Sequence, residues 1–381
     1  MLYFLGIWLS KLWGPFRLLS SHLMLMGIGT VLGGLLVWRL MPRYWNRLPH
    51  DRGKQLVSGG HVSKGKPTGA GLHMALLLFP VLLLVVPFDI RVDAWVLGIL
   101  ACLMLSMLFG YLDDASRAPW GEWLKGSLDL LVALLTAALL YHAGENTLWL
   151  PFVKEVVKPS FWVYVPCAAM LLWLTMNATN CSDGVDGLAG SLTLLSLFSL
   201  GFLLYGVVGY RPVANYLLIP HNPDGARWAV MVFTVAGGLA GYLWHNAEPS
   251  RVLMGDAGSR FLGLLVGISV LASGNPMLVF VVSPMVLLNG GTGLFKLILL
   301  RLLKRVGFDI TPPVRRKNSE GRDVVVEERH ALVMALHSIR FPLHDHCRKN
   351  LGWSNAQVLM RFVLIQAVLT PLLFIILMKI R

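Results

Sequence analysis

The chain has 381 residues, of which 56% are hydrophobic and only 14% are charged. A soluble domain carries charge on about a quarter of its residues, so this composition excludes an ordinary soluble globular protein and indicates a membrane protein. The formal net charge of +13 is typical of basic loops beside anionic headgroups, and we expect membrane lipids, and no nucleic acid, among the partners.

The first predicted element is residues 1–20, where Trp, Phe and Leu mix with Lys11 and Arg17. This mixture favours an interfacial amphipathic helix. Runs of about 20 apolar residues then recur, each long enough to cross about 30 Å of hydrocarbon as a helix. They predict an all-α integral membrane protein with ten transmembrane helices in a single domain, 1–381; the helices lie at about 21–41, 71–88, 92–112, 126–143, 159–176, 188–209, 228–246, 259–273, 276–303 and 357–379.

The loops between these helices differ in charge. Most of the lysine and arginine residues lie in the loops after the odd-numbered helices, above all in the long loop 301–356. Because cytoplasmic loops carry this excess, we place those loops in the cytoplasm and both termini on the other side. Within the long loop, a charged stretch around V-V-V predicts a short hairpin. The four cysteines lack metal-ligand or framework spacing, which predicts free thiols.

Polar residues gather in five clusters, all in loops on the predicted cytoplasmic side. Clusters that are distant in sequence but share one face can form a single site there. Polar groups next to apolar spans are costly, which favours a working site over chance. The clusters are His61–Gly71, Asp113–Asp114, Asn177–Asp186, Met254–Ser259 and His344–His346.

Adjacent carboxylates end the third helix in F-G-Y-L-D-D-A-S-R, at Asp113 and Asp114. They repel each other and need a cation, a proton or solvent. Mg²⁺ with phosphate is a natural partner, since Mg²⁺ prefers a few carboxylates plus substrate oxygens. The alternative is a solvated helix end.

The stretch M-G-D-A-G-S flanks Asp256 with Gly255 and Gly258, so the backbone can approach a bound group closely. A helix that opens here also presents free N–H groups to an anion. The alternative is an ordinary N-cap made by Asp256 or Ser259.

The stretch M-N-A-T-N-C-S-D-G-V-D-G-L-A-G holds two amides, Asn177 and Asn180, and two acids, Asp183 and Asp186. A loop and cap would need fewer polar groups, so we favour a site.

Four basic residues near these clusters supply cations, or serve only as membrane anchors: Lys64, Lys66, Arg117 and Lys125. His344 and His346 flank Asp345, but zinc would need a third and fourth ligand at a familiar spacing. The remaining interpretations of the two histidines are contact with a phosphate or a nucleotide edge, or simple loop structure. Carboxylates for magnesium beside cations and glycines for phosphate, all at a membrane surface, indicate phosphoryl transfer involving a lipid.

The motifs together resemble a known family, the polyprenyl-phosphate N-acetylhexosamine-1-phosphate transferases. They are D-D after an apolar span, N-A-x-N-x-x-D-G-x-D-G-L-A, M-G-D-x-G-S, and P-x-H-x-H followed by G-W and V-x-x-R-F. The resemblance covers nearly the whole chain. It implies a ten-helix fold with both termini outside the cytoplasm, the site on the cytoplasmic face, and assembly as a homodimer.

The resemblance also implies a reaction. S-K-G-x-P-T and G-W-S-N-A-Q-V-L-M-R-F favour the muramoyl branch, in which undecaprenyl phosphate attacks the β-phosphate of a UDP-sugar nucleotide, UDP-N-acetylmuramoyl-pentapeptide. The products are lipid I and UMP, with Mg²⁺ as cofactor, at the bacterial inner membrane. The same chemistry on UDP-N-acetylglucosamine is the first alternative, and an ion-coupled transporter is a remote one.

By this resemblance Asp256 is the principal metal ligand, with Asp113 and Asp114 beside it, and Asp113 is a candidate general base. The family's substrate-binding positions correspond here to Lys64, Arg117, Lys125, Asn177, Asn180, Asp183, Gly184, Asp186, Leu253, His344 and His346.

The chain departs from the family pattern at three places. Asp345 replaces the middle of three usual histidines, and Leu253 stands where a Phe commonly stacks on uracil. Residues 307–337 look like an insertion.

Overall fold

The computed structural model describes residues 1–51, 64–89, 93–118, 120–153, 155–311, 315–317, 323–325 and 330–379. A 3₁₀ segment, Gly14–Ser20, follows the first of fifteen described helices, and another, Trp45–Arg47, follows the second. The helices are α1 (Leu2–Leu9), α2 (His22–Tyr44), α3 (Ala70–Val85), α4 (Ala94–Ala115), α5 (Glu122–His142), α6 (Phe161–Ser182), α7 (Leu188–Val208), α8 (Arg211–Tyr216), α9 (Gly225–Asn246), α10 (Gly255–Ala272), α11 (Leu278–Val282), α12 (Pro284–Arg305), α13 (Ala331–Ser338), α14 (Leu343–Lys349) and α15 (Asn355–Lys379).

The predicted all-helical membrane fold is confirmed, with one difference in helix length. Within the described ranges, nine helices are long and apolar enough to cross a membrane. The second predicted span is the shorter α3, which has 16 residues. At 1.5 Å per residue it covers only about 24 Å. The chain is thus a multi-pass membrane protein whose described part has nine spans of full length and one shorter apolar helix.

The N-terminal segment is not one helix but α1 followed by the 3₁₀ segment Gly14–Ser20. The Met1 amine donates to Leu84 O at 3.0 Å and to Leu83 O at 3.4 Å. These carbonyls belong to the last turn of α3, where they have no partner within the helix and carry the negative end of its dipole. The terminal amine therefore caps the short helix.

The ninth predicted span is interrupted. Pro284 has no N–H to continue a helix, and α11 ends just before Ser283. Side chains satisfy the interrupted backbone: Ser196 Oγ donates to Val282 O at 2.8 Å, and Ser283 Oγ donates to Ser196 Oγ at 2.8 Å. Beyond the break, α12 contains a π turn, Leu287–Gly291, and runs to Arg305. The predicted loop start at residue 301 was therefore too early.

The interior of the bundle is organised around α10. Sixteen of its 18 residues are buried, and it packs against α3, α4, α6 and α7. Asp256 lies in its first turn. A side chain at the end of the central helix is held by several neighbours at once, so its position is set by the whole bundle.

The predicted hairpin in the long loop is confirmed. Strand β1 (Arg315–Lys317) pairs antiparallel with β2 (Asp323–Val325), and Arg316 lies opposite Val324. Helices α13 and α14 follow before the last membrane helix. The four cysteines all lie in the described ranges, and each is a free thiol there, as the sequence predicted.

One buried acid lies at the opposite end of the bundle from Asp256. Glu145 follows α5 and borders a cavity of about 260 Å³. Its carboxylate accepts Trp228 Nε1–H at 2.6 Å and Asn222 Nδ2–H at 2.8 Å. Burial raises the pKa of Glu145 to about 8, against its ordinary value of 4.5.

We expect Glu145 to make the protein less stable as the pH rises. The folded protein keeps this proton at pH values where the unfolded chain releases it. The contribution of Glu145 to the free energy of unfolding is therefore fully present below pH 4.5 and is lost as the pH rises toward 8. The loss is roughly 3–5 kcal/mol. Thermal unfolding in detergent at pH 5 and pH 8 should show a smaller loss in Glu145→Gln than in wild type. Glu155→Gln, at an exposed position in the same loop, is the control, and an equal loss in all three proteins would contradict the prediction.

Candidate active site

Asp113 and Asp114 lie in the last turn of α4, and their carboxylates face different neighbours. Asp113 is buried; its Oδ1 accepts the Trp120 backbone N–H at 2.9 Å, and its Oδ2 forms an ion pair with Lys125. Successive residues on a helix point about 100° apart, so Asp114 is directed elsewhere. The adjacent acids are therefore not an equivalent pair.

Asp114 caps the central helix. Its Oδ1 accepts the backbone N–H of Asp256 at 3.1 Å, and its Oδ2 accepts that of Ala257 at 3.1 Å. The first N–H groups of a helix have no partner within it and carry a positive dipole end, which a carboxylate satisfies. From the sequence, the M-G-D-A-G-S stretch predicted either a helix start open to an anion or a local cap by Asp256 or Ser259, whereas the cap comes from another helix. Asp114 thereby fixes the position of Asp256.

Helices α4 and α10 pack so closely at Gly110 that their backbones are in contact. A Cβ on Gly110 would lie 2.4 Å from Asp256 O, closer than any side chain can approach a carbonyl. Glycine at this position lets the end of α4, with its two acids, lie directly against the start of α10. The close approach is what brings Asp113, Asp114 and Asp256 together.

Lys125, near the start of α5, joins two of these acids. Its Nζ forms an ion pair with Asp113 and lies 3.3 Å from Asp256 Oδ2. The carboxylates of Asp113 and Asp256 also contact each other, so the pair needs a cation or a shared proton to offset the repulsion. Lys125 thus does more than anchor the chain at the membrane.

Arg260 and Asp129 belong to the same cluster but were missed in the sequence. Arg260 Nη2 lies 3.2 Å from Asp256 Oδ2, and its Nη1 lies 2.9 Å from Asp129 Oδ1. Asn177 lies beside Asp129 and donates to Trp173 O at 2.9 Å. A lone acid inside the predicted span 126–143 was the available signal for Asp129, because an acid there is expensive.

Asp186 lies in a second group, which ties three loops together. Its Oδ2 lies 3.4 Å from Lys66 Nζ and accepts the Ser250 N–H at 3.0 Å, while Lys66 donates to Ser250 Oγ at 2.9 Å. Beside it, Asn246 accepts from Gly187 N–H at 2.8 Å and donates to Val252 O at 2.9 Å. These bonds join the stretches around residues 66, 186 and 250 into one wall.

His344 forms a third group with Gly184. The histidine is buried, and a Cβ on Gly184 would lie 2.2 Å from His344 Nε2, so only glycine admits the ring. Asn289 Oδ1 accepts the His344 backbone N–H at 2.9 Å and lies 3.1 Å from Nδ1. Because an amide oxygen only accepts, this contact assigns the ring proton to Nδ1. Asn289 sits in the π turn of α12, and no sequence signal singled it out.

Two of the three departures from the family pattern, Asp345 and Leu253, are single side chains whose contacts the structure describes. Asp345 lies 3.1 Å from Lys349 Nζ in α14, so this acid does not remain unneutralised between the histidines. The side chain of Leu253 is half-buried, and its backbone N–H donates to Pro67 O at 2.8 Å.

The other predicted residues lie around these three groups. His346 is half-buried and accepts the Arg340 N–H at 3.4 Å. Asn180 lies in the last turn of α6 and Asp183 directly follows it, both half-buried, whereas Lys64 and Arg117 are exposed. In the first cluster, His61 lies outside the described residues. For the clusters within the described ranges, these contacts confirm the prediction that they meet at one end of the bundle.

Among the described residues, no group of three His, Cys, Asp or Glu side chains is placed to hold a metal ion. Asp114 directs both oxygens to the backbone of α10, so its surroundings differ from those of the other two acids, and the three-carboxylate metal centre stays a prediction. Asp113 and Asp256 remain as the facing pair. Two carboxylates that share the ion with phosphate oxygens would match the preference of Mg²⁺, which seldom uses a complete protein cage.

Comparison with known proteins gives a consistent result. Residues 96–274 match the model of glycosyl transferase family 4. Proteins named phospho-N-acetylmuramoyl-pentapeptide-transferase from two strains of Treponema pallidum are each 42% identical over 98% of this chain and 95% of their own length. The protein of that name from Bartonella quintana is 30% identical over 70% of this chain and 68% of its own.

Proposed function

This chain belongs to the phospho-N-acetylmuramoyl-pentapeptide transferases of glycosyl transferase family 4, and on that premise we propose the reaction it catalyses. It transfers phospho-N-acetylmuramoyl-pentapeptide from the UDP donor to undecaprenyl phosphate, and lipid I and UMP are released in the bacterial inner membrane. Membership of a transferase family decides against the transporter alternative. The basic loops favour a site that faces the cytoplasm, where the nucleotide is found.

The observation that carries this proposal is the junction of Asp113 and Asp256 through Lys125. Phosphoryl transfer is catalysed mainly by positioning and by stabilising charge on the phosphate oxygens. A pair of carboxylates with a lysine between them, at the start of the central helix, supplies fixed charges of both signs at one point. Such an arrangement suits a diphosphate that arrives with its own cation.

We propose that Asp113 and Asp256 hold Mg²⁺ together with oxygens of the diphosphate. When bound, this ion neutralises the diphosphate and stabilises the leaving UMP. Lys125 then pairs with a phosphate oxygen as well as with the acids. Asp114 keeps Asp256 in place through the two backbone bonds of α10.

In the reaction, a phosphate oxygen of undecaprenyl phosphate forms a bond to the β-phosphorus, and the bond from that phosphorus to the bridging oxygen breaks. UMP leaves with the bridging oxygen. The second pKa of a phosphomonoester is near 6, so the attacking oxygen is largely ionised at neutral pH. Asp113 as a base therefore contributes little, and its main task is to hold charge.

The two other groups bind the donor. The wall formed by Lys66, Asp186 and Ser250 lies beside the first group, and His344 with Gly184 forms the next part of the surface. We assign the diphosphate and uridine to this surface, with Lys64, Arg117, Asn180 and Asp183 at its edge. Pairing of Asp345 with Lys349 leaves the half-buried His346 able to meet an anion, and His344 shapes the surface through its contact with Gly184.

One comparison tests the reaction. Purified protein with Mg²⁺ and undecaprenyl phosphate should release UMP from UDP-N-acetylmuramoyl-pentapeptide much faster than from UDP-N-acetylglucosamine. A preference for the second donor would overturn the substrate assignment in favour of the alternative branch. No release from either donor, beside an active relative in the same lipid mixture, would refute the enzyme assignment.

We further expect Asn289→Ala to weaken donor binding. The change removes the oxygen that holds the His344 backbone and ring, and the loss of one such hydrogen bond corresponds to about a tenfold rise in the KM for the donor. Asn289→Asp keeps an acceptor for both His344 groups but adds a charge at a fully buried position, so it should raise the KM less than Asn289→Ala without matching wild type. Steady-state kinetics measure both, and an unchanged KM in Asn289→Ala would exclude this role.

A further inference from the structure

A charged pair lies beneath the acidic site, inside the helical bundle. Arg260 of α10 and Asp129 of α5 are joined at 2.9 Å, and their side chains are only 1% and 2% exposed. Neither residue was among the predicted site residues. Charges buried this deeply are costly in a membrane protein and require a reason.

The pair is connected to the proposed metal site through one atom. Arg260 Nη2 lies 3.2 Å from Asp256 Oδ2, the same oxygen that Lys125 Nζ approaches to 3.3 Å. Because Arg260 is almost fully enclosed, it cannot reach a substrate. Any influence on the reaction must pass through Asp256, which makes Arg260 a positioning residue.

The hydrogen bonding of the pair is incomplete. Arg260 Nε is buried and has no hydrogen-bond partner among the described residues, and on the other side Asn177 lies beside the Asp129 carboxylate. A buried ion pair with an unused bonding group adds little to stability compared with apolar side chains of similar size. Its distinctive effect is electrostatic: Asp129 offsets the positive charge that Arg260 brings to Asp256.

We propose that Asp129 and Arg260 form a charge-balancing pair that sets the affinity of the Asp256 carboxylate for a divalent cation. Arg260 brings a positive charge to one carboxylate oxygen of Asp256. Asp129 offsets the positive charge of the Arg260 guanidinium, so that the Asp256 carboxylate still attracts the cation. This inference rests on the proposed function only in taking Asp256 to be a metal ligand.

The test uses the full-length protein and Mn²⁺ alone, with bound and free ion measured by electron paramagnetic resonance. Asp129→Asn removes the balancing charge and leaves Arg260 acting on Asp256. Asp129→Leu/Arg260→Met removes the whole pair and leaves the net charge unchanged. Asp256→Asn identifies the signal that belongs to this site, and thermal unfolding confirms that each variant is folded.

We expect Asp129→Asn to raise the Kd for Mn²⁺ about tenfold, since one uncompensated charge at this range changes the binding energy by that order. The double variant should return to within about threefold of wild type, as its charge at Asp256 is balanced again. The same order should appear in the Mg²⁺ concentration that gives half-maximal UMP release.

Three results would overturn the inference. If folded Asp129→Asn binds Mn²⁺ like wild type, the pair does not act on the site. If the double variant is as weak as Asp129→Asn, charge balance is not the cause. If wild type shows no Mn²⁺ binding that depends on Asp256, the metal part of the proposed function fails with it, whereas the donor comparison described above tests the transferase reaction separately.

Discussion

Asp256→Asn is expected to lower kcat by roughly 10³-fold or more while the protein remains folded, because it removes the charge on which the proposed cation depends. Among the described residues, Asp256 is the one side chain that contacts Asp113, Lys125 and Arg260 together. Asparagine keeps its size and its place under the Asp114 cap. UMP release at saturating substrates, with Mn²⁺ binding as a second readout, measures the effect.

The control for Asp256→Asn is Glu122→Gln. Glu122 starts α5 at the same end of the bundle, but its side chain is 72% exposed and pairs with Arg301. Surface ion pairs contribute at most about 1 kcal/mol, so the variant should be nearly as active as wild type. If Asp256→Asn retained wild-type turnover beside this control, the role assigned to Asp256 would be refuted.

Gly110→Ala is expected to lower activity about 100-fold by moving the acids apart. A Cβ at this position would meet Asp256 O at 2.4 Å and Asp256 C at 2.5 Å, and both atoms belong to backbone that cannot turn aside. Overpacking of this kind costs about 1–3 kcal/mol or more. A displacement of about 1 Å at reacting groups is sufficient for a 100-fold loss. Thermal unfolding and UMP release should decline together.

A matched substitution is available at Gly126, which lies in α5 close to Lys125. Its added Cβ would find no atom nearer than Trp173 Cζ2 at 4.0 Å. Alanine is the better helix former, so Gly126→Ala should be neutral or slightly stabilising. Equal losses in the two variants would show that the effect at Gly110 is not steric.

The departures from the family pattern now have different weights. Asp345 is neutralised by Lys349 at 3.1 Å within one helix turn, so it need not repel a nucleotide. At Leu253 the backbone, rather than the side chain, holds the loop through Pro67 O and the Ala70 N–H. The part of the predicted insertion that the structure describes contains the hairpin and α13, and nothing in its contacts links it to the three groups.

How much of the site could be read from the sequence differs from residue to residue. Asp113, Asp186 and Asp256 were predicted because each stands in a dense polar stretch next to an apolar span. Asp129 could have been predicted by the same rule, as an isolated acid within a span. Arg260 and Asn289 could not, since each gains its meaning from a partner on another helix, Asp129 or His344.

The sequence by itself determined the membrane class, the approximate course of the helices and the sharing of one end by the polar clusters. These follow from the length of apolar runs and from the cost of polar groups in hydrocarbon, which are properties of each segment alone. The tertiary structure decided which acid faces which partner: Asp113 faces Lys125, Asp114 caps α10, and Asp256 is held between Lys125 and Arg260. Neighbouring side chains on a helix diverge by about 100°, so adjacency in sequence cannot assign these tasks. The packing of α4, α5 and α10 against one another assigns them.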